Sequence, residues 1–321
     1  MDDLLRLNTL YCVKKDGRKK ARTVLGAGKT ILETLELNYG RTHSPTARPA
    51  TFRILCALAA MYGLTIRGGD VSQAYAQAKW PEGMKKVYAH VPSGYKKYYD
   101  GKPHCVEVGQ LYGNPPAGKN WWIDLRDFLK DHGFQQSEWD PCYFVKRNGE
   151  DCVHLIVYVD DILTFSAKDS KIYDEFERDF TAKYTWNNFG TDLHDFVSID
   201  ITQKPGEVKL GMDKYIDAMA AEFFPAGVHH AYTTPAESDL AAVVYQASIA
   251  KDTTYAGTDI GKRFRRMTMQ LLYLSKQVRP DIALATVLLT FSPASRRGRR
   301  QICSSAPNGS SSTSSGPRTS S

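Results

Sequence analysis

The chain has 321 residues, with 42 Lys and Arg against 35 Asp and Glu, a formal net charge of +7. Residues 292–321 hold five Arg and no acid, so only +2 belongs to residues 1–291; this excludes a uniformly basic body and requires any nucleic-acid partner to meet a local basic channel. The length allows two or three domains around a sizeable core, while the longest apolar stretch, Ile54 to Ile66, is shorter than the roughly 20 residues of a bilayer span.

The chain opens on Met1-Asp2-Asp3, acidic where a secretory leader would be basic. Six cysteines without a C-x-x-C pair point to reduced structural thiols in an intracellular setting. The expected location is therefore intracellular, with no secretion and no membrane partner.

In chain order, Lys14 to Arg22 predicts two short strands around the Asp16-Gly17 turn. Eight Lys or Arg against three Asp in residues 1–29 make it a basic hairpin, suited to phosphate. Ile54 to Ile66 predicts a buried helix followed by a strand, which Leu64 to Asp70 continues. Tyr75 lies five residues after Asp70, either as a core aromatic at a helix start or as a ring beside a ligand.

Cys152 to Tyr158 is too apolar for a surface loop, and Ile162 to Phe165 follows Asp160-Asp161 at once. Two buried strands joined by a tight acidic turn is the expected arrangement. Next come a helix over Lys168–Tyr184, a strand over Phe196–Ile201, a turn at Pro205-Gly206 and a strand from Glu207 to Leu210.

Adjacent Asp is ordinary turn chemistry. Asp160 and Asp161 at the end of a buried strand, however, repel each other and lose hydration, which calls for a neutralising cation. Asp70, at the end of another predicted strand, offers a third carboxylate. Hard oxygen ligands with no His or Cys cluster favour Mg2+ or Mn2+, ions that bind through carboxylates together with substrate phosphates.

Several segments in order resemble the reverse transcriptase of copia-type LTR retrotransposons, over roughly residues 9 to 291. Lys20-Ala21-Arg22-Thr23-Val24 resembles KARLV, Asp70 to Tyr75 resembles DVKxAF, and Leu111-Tyr112-Gly113 with Trp121 resembles LYGLKQxxxxW. Asp140-Pro141-Cys142-Tyr143-Phe144 leads to Tyr158-Val159-Asp160-Asp161, the family's YVDD, and Arg279-Pro280-Asp281-Ile282-Ala283 closes the series.

The resemblance implies an α+β right-hand polymerase fold, with residues 1–62 as fingers incomplete at the amino end and 63–195 as palm with an inserted fingers segment at 76–125. Residues 196–291 would be a primer-grip hairpin and a thumb-like or connection-like part. It implies RNA-directed DNA polymerisation by a polyprotein fragment acting on an RNA or DNA template with primer and on deoxynucleoside triphosphates. Asp70, Asp160 and Asp161 would be catalytic and hold two Mg2+ or Mn2+ ions. Lys20 and Arg22 would grip the triphosphate, and Tyr75 would lie beneath the sugar and exclude a 2′-hydroxyl.

Departures from the family pattern are Pro116 in place of a Gln, Gly69 in place of an apolar residue, expected to weaken strand packing, and Ser198 in place of a Gly. Nine of the 18 residues from Ser304 onward are Ser, so residues 292–321 are expected to form a disordered tail, through a frameshift or as a basic nucleic-acid-binding extension. The alternative to an enzyme is an inactive nucleic-acid-binding remnant that keeps the fold and the acids but not the pocket.

Overall fold

The structure, a computed structural model, describes residues 5–13, 17–26, 42–84, 86–92, 94–95, 105–191, 196–227, 233–250, 254–255 and 257–293. Its architecture is mixed α+β with largely antiparallel sheets. The chain divides into two units, residues 1–215 and 216–321. The tail expectation falls almost wholly on residues 294–321, outside the described set.

In the first unit, β1 (Leu5–Val13) and β2 (Lys19–Gly26) pair antiparallel. With β4 (Val87–His90) and β5 (Cys105–Val108) they form a sheet of order β2-β1-β4-β5, β1 and β4 being its parallel pair. Its core is Leu5, Leu25, Val87, Ala89 and Val108, with Leu7, Trp80 and Leu111 packed against it.

The central sheet is larger. It comprises β3 (Thr65–Val71), β6 (Gln135–Gln136), β7 (Tyr143–Asn148), β8 (Asp151–Tyr158), β9 (Asp161–Ser166) and β10 (Trp186–Gly190), in the order β10-β3-β9-β8-β7-β6. Its pairings are antiparallel. Neighbouring residues Leu155, Ile156 and Val157 of β8 are all buried, so both faces of that strand are covered, and this is why its sequence is a continuous apolar run.

Helix α1 (Pro49–Tyr62) starts with Pro at its first turn and ends at Gly63, whose φ of 65° supplies the left-handed cap. Its amino end is capped from a distance. Asp140 is 2 % exposed, and its Oδ2 accepts from the Arg48 N–H at 2.9 Å and the Thr51 hydroxyl at 2.6 Å, while Oδ1 accepts from the Cys142 N–H at 3.0 Å. The Asp140-Pro141-Cys142 segment thus serves helix capping, a negative charge at the positive end of a helix dipole.

After the short α2 (Ala74–Gln77), helix α3 (Ala117–Asp131) buries Trp121, Leu125, Phe128 and Leu129, one face at helical spacing. Helix α4 (Lys171–Lys183) buries Ile172, Phe176 and Phe180 and is capped by Ser170, whose hydroxyl accepts from the Tyr173 N–H at 3.1 Å. Phe128, Phe180 and Tyr184 meet with ring centroids 4.9 to 5.6 Å apart. Each such ring contributes about 1.5 to 3 kcal/mol by burial.

The Phe196 to Ile201 segment differs from the expected strand. Phe196 and Ile199 close a tight turn through a bridge, and Val197 and Ser198 have φ of 52° and 65°. Alternating apolar residues mimicked a strand; the strand β11 (Asp200–Lys204) begins only after them and pairs with β12 (Glu207–Gly211). The left-handed Ser198 explains why a Gly suits this position. Gln203 of β11 accepts from the Ile66 N–H at 3.1 Å, tying this hairpin to the start of β3.

Gly69 also departs from expectation. It is buried where the Trp186 ring of β10 packs directly over its Cα, and a Cβ would collide with that ring and with the Asn187 carbonyl. The missing side chain makes room for an indole, so the packing is filled from the neighbouring strand.

Helix α5 (Asp213–Phe223) begins at the boundary between the units. The second unit then holds α6 (Leu240–Ile249), α7 (Asp259–Gln277) and α8 (Ala283–Phe291). Thr258 caps α7, its hydroxyl accepting from the Gly261 N–H at 3.1 Å. No helix among the described residues is long and apolar enough to cross a membrane.

Candidate functional site

The β8–β9 hairpin turns on two residues, Val159 and Asp160, between the paired Tyr158 and Asp161. Val159 has φ of 60°. A β-branched residue in that region is strained by about 1 to 3 kcal/mol, and such strain persists only where surrounding contacts impose it. Two contacts do so here: the Trp121 indole N–H donates to the Val159 carbonyl at 2.7 Å, and the Val71 N–H donates to the Asp160 carbonyl at 2.8 Å.

Asp70 near the end of β3 and Asp161 at the start of β9 are directly opposed across the strand pair. Cross-strand partners project to the same face. Asp70 and Asp160 both line a cavity of about 590 Å³, together with Lys19, Lys20, Arg22, Gln110 and Tyr112. That size is typical of small-molecule sites. The cavity brings together four of the six residues predicted from sequence, Lys20, Arg22, Asp70 and Asp160; Asp161 and Tyr75 do not line it.

Tyr75 contacts a wall residue. Its ring meets that of Tyr112 with centroids 4.6 Å apart and a tilt of 34°, and its hydroxyl lies beside Gly118, where a Cβ would sit 3.4 Å from it. Arg22 places its guanidinium 4.3 Å from the centroid of the Tyr112 ring. Burial raises the Tyr75 phenol's pKa, and the Asp160 carboxylate adds to the effect; Tyr112 is raised by the same two causes, with Arg22 opposing. Both phenols are thus held neutral beside the carboxylates.

The loop that carries Tyr112 is locked to the basic hairpin. Its carbonyl accepts from the Leu25 N–H at 2.9 Å, and Gly113, at φ 85°, comes so near the Leu25 carbonyl that any Cβ would clash. Gln110 is 4 % exposed; its amide donates to the Lys79 carbonyl at 3.2 Å and accepts from Asn120 at 3.3 Å. Sequence reasoning did not single out Gln110 or Tyr112, although the Leu-Tyr-Gly signal pointed to the latter. Pro116 is buried at the amino end of α3 and is not a wall residue.

No group of three or more His, Cys, Asp or Glu among the described residues is assembled as a metal cage. The donors that do meet, Asp70 and Asp160 on one cavity with Asp161 paired to Asp70, are hard oxygens. They fit an ion of the Mg2+ class, which takes one or two carboxylates and draws its other ligands from water and phosphate.

A mixed α+β fold that sets an acidic hairpin turn and a basic strand around one cavity is the kind of scaffold a nucleotide polymerase needs. The sequence model of the family described as "Reverse transcriptase (RNA-dependent DNA polymerase)" matches residues 8–237, and the chain belongs to that family, in its copia-type retrotransposon branch. It is 28% identical over 271 residues to the "Retrovirus-related Pol polyprotein from transposon RE1" of Arabidopsis thaliana, covering 84% of this chain and 17% of that protein. To the corresponding polyprotein from transposon TNT 1-94 of Nicotiana tabacum it is 26% identical over 229 residues, 68% of this chain and 16% of that one. The RE2 polyprotein of Arabidopsis thaliana is 29% identical over 208 residues, 63% of this chain and 14% of the relative. The chain therefore spans about a sixth of the length of these curated relatives.

Proposed function

We propose that the chain catalyses RNA-directed DNA polymerisation, adding a deoxynucleotide to a primer 3′-hydroxyl on an RNA or DNA template. The observation that carries this reading is the joint lining of one cavity by Asp70, Asp160, Lys20 and Arg22, with Asp161 paired to Asp70. In the reaction the 3′-oxygen bonds to the α-phosphorus, the bond to the bridging oxygen of the β-phosphate breaks, and pyrophosphate leaves as the hydroxyl proton passes to solvent.

Arg22 holds the triphosphate through the paired donors of its guanidinium, and Lys20 adds a point charge. Asp70, Asp160 and Asp161 would hold two divalent ions of the Mg2+ or Mn2+ class. Such ions, when bound, supply a more acidic 3′-hydroxyl and charge neutralisation at the leaving oxygens. Tyr75 backs the sugar side of the cavity and favours deoxynucleotides. Residues 1–62 act as fingers, 63–195 as palm with the 76–125 insertion, and 196–291 as primer grip and thumb.

One observation favours a second reading, a nucleic-acid-binding remnant: Pro116, which stands where the family pattern has a Gln, is buried and does not line the cavity. Primer extension on poly(rA)/oligo(dT) with Mg2+ or Mn2+ separates the two. Extension by the chain, lost at least about a thousandfold in Asp160→Asn with duplex binding retained, is expected for the enzyme. Tight duplex binding without extension by the unaltered chain would establish the remnant instead.

A further inference from the structure

We infer that Tyr112 is the ring that meets the nucleotide sugar and that it couples sugar selection to the triphosphate grip, an assignment that rests on the proposed polymerase reading. Three groups are in contact, with the two rings tilted 34° from one another. Arg22 lies 4.3 Å over Tyr112, and Tyr112 lies 4.6 Å from Tyr75. Of the two rings only Tyr112 lines the cavity, beside Asp70 and Asp160. A ligand whose phosphates engage Arg22 and whose reacting phosphorus sits near the carboxylates therefore meets Tyr112 first, and Tyr75 acts through it as backing.

The support for Tyr112 is rigid on three sides. Its carbonyl is bonded to the Leu25 N–H on the strand that carries Arg22, Gly113 fits against the Leu25 carbonyl with no room for a side chain, and Leu111 packs on the core of that sheet. Tyr75 in turn is pressed towards Gly118 of α3. The backbone that carries the ring therefore cannot leave the basic strand without breaking that bond. Its π face also fixes the Arg22 side chain, which is otherwise an exposed, rotamer-rich arm.

The test uses the full chain and Tyr112→Ala, Tyr112→Leu, Tyr112→Phe and Tyr75→Ala. It measures KM and kcat for dTTP on poly(rA)/oligo(dT), the dTTP/UTP discrimination ratio, and, without turnover, retention of radiolabelled dTTP in equilibrium dialysis with Ca2+. Tyr112→Ala should raise KM and the dTTP dissociation constant roughly tenfold, the sum of a lost cation–π support and a lost ring contact, and should lower discrimination at least as much. The kcat should change less. Tyr112→Leu, which keeps most of the volume but no π face, should behave like Tyr112→Ala, so a folding defect in the smaller variant does not decide the matter. Tyr112→Phe should restore both properties, and Tyr75→Ala should show the same effects more weakly.

Unchanged dTTP retention and discrimination in Tyr112→Leu, or a fall in kcat alone, would overturn the assignment, as would failure of Tyr112→Phe to restore selection. If the unaltered chain retains dTTP without extending the primer, polymerisation fails as its function while the dialysis arm still judges Tyr112. If it does neither, both readings fall.

Discussion

Replacing Trp121 by Phe isolates the force that holds the acidic turn. Trp121 is 1 % exposed, and its indole N–H donates to the carbonyl of Val159, the residue at φ 60°. Phe keeps an aromatic ring in the core but removes the donor and part of the volume. The lost hydrogen bond costs about 0.5 to 1.5 kcal/mol, and the space left by the smaller ring roughly another 1 to 2 kcal/mol. The turn holds strain of comparable size, about 1 to 3 kcal/mol, so its loss of support is enough to let Val159 leave the left-handed region and carry Asp160 with it. Urea denaturation should show a loss of about 2 to 3 kcal/mol, and hydrogen exchange should show faster exchange of the Val71 amide, whose acceptor is the Asp160 carbonyl. Primer extension should fall by about ten- to a hundredfold in kcat with little change in duplex affinity. A second substitution, Val159→Gly, removes the steric cost of φ 60° and should recover much of the kcat without refilling the core. A Trp121→Phe variant that is less stable yet extends at the original rate, with the Val71 amide still protected, would refute this account.

Four further outcomes follow from local geometry. Asp140→Ala leaves the Arg48 N–H, the Thr51 hydroxyl and the Cys142 N–H without their acceptor and should cost about 3 kcal/mol or more in thermal or urea unfolding; a loss near zero would show that the cap is not needed. Gly69→Ala should destabilise by about 1 to 3 kcal/mol through collision with Trp186, and Trp186→Ala in the same chain should relieve part of that loss; equal losses in both backgrounds would rule the contact out. Ser198→Gly, at φ 65°, should stabilise by roughly 0.5 to 1 kcal/mol, the relief of left-handed strain less the added chain entropy of glycine. His154, bonded to the Tyr143 hydroxyl at 2.7 Å, has its pKa lowered by burial and by Arg147. A lowered folded pKa means that the stability it contributes is complete above the ordinary value of 6.5 and is lost as pH falls through the folded value. The acid-side decline measured by urea melts should therefore shrink in His154→Phe; an identical pH profile would exclude it as a source.

The strands around the acidic turn were legible because their signals are local. Cys152 to Tyr158 is a continuous apolar run because β8 lies inside the sheet, and the two-residue turn Val159-Asp160 interrupts it just before Asp161 opens β9. The helix expected over Lys168–Tyr184 is α4, and its apolar positions Ile172, Phe176 and Phe180 are buried at helical spacing. The hairpin at Pro205-Gly206 likewise announced itself by turn residues, and β1 and β2 pair as the basic segment suggested, while the expected turn residue Asp16 lies outside the described residues. Asp140 and Gly69 were not legible in the same way. The donors that Asp140 accepts from and the ring that fills the space at Gly69 belong to segments remote in sequence. A carboxylate that caps a distant helix and one that awaits a metal read alike until the chain is folded.

The Phe196 to Ile199 turn failed for the opposite reason. Its alternation of apolar and polar residues carries the period of a strand, but periodicity does not report the sign of φ, and two consecutive non-glycine residues there are left-handed. The same blindness applies at Val159, where no glycine marks the turn. Both strained positions flank or serve the acidic hairpin region: Phe196 packs against Tyr158 at 6.3 Å between centroids, and Tyr158 directly precedes Val159. Residues that violate local backbone preference are thus concentrated around the strand end that presents Asp160. A backbone held there by Trp121, Val71 and the packing of Tyr158 keeps the carboxylate at the cavity, the preorganisation that the proposed catalytic role of Asp160 would require.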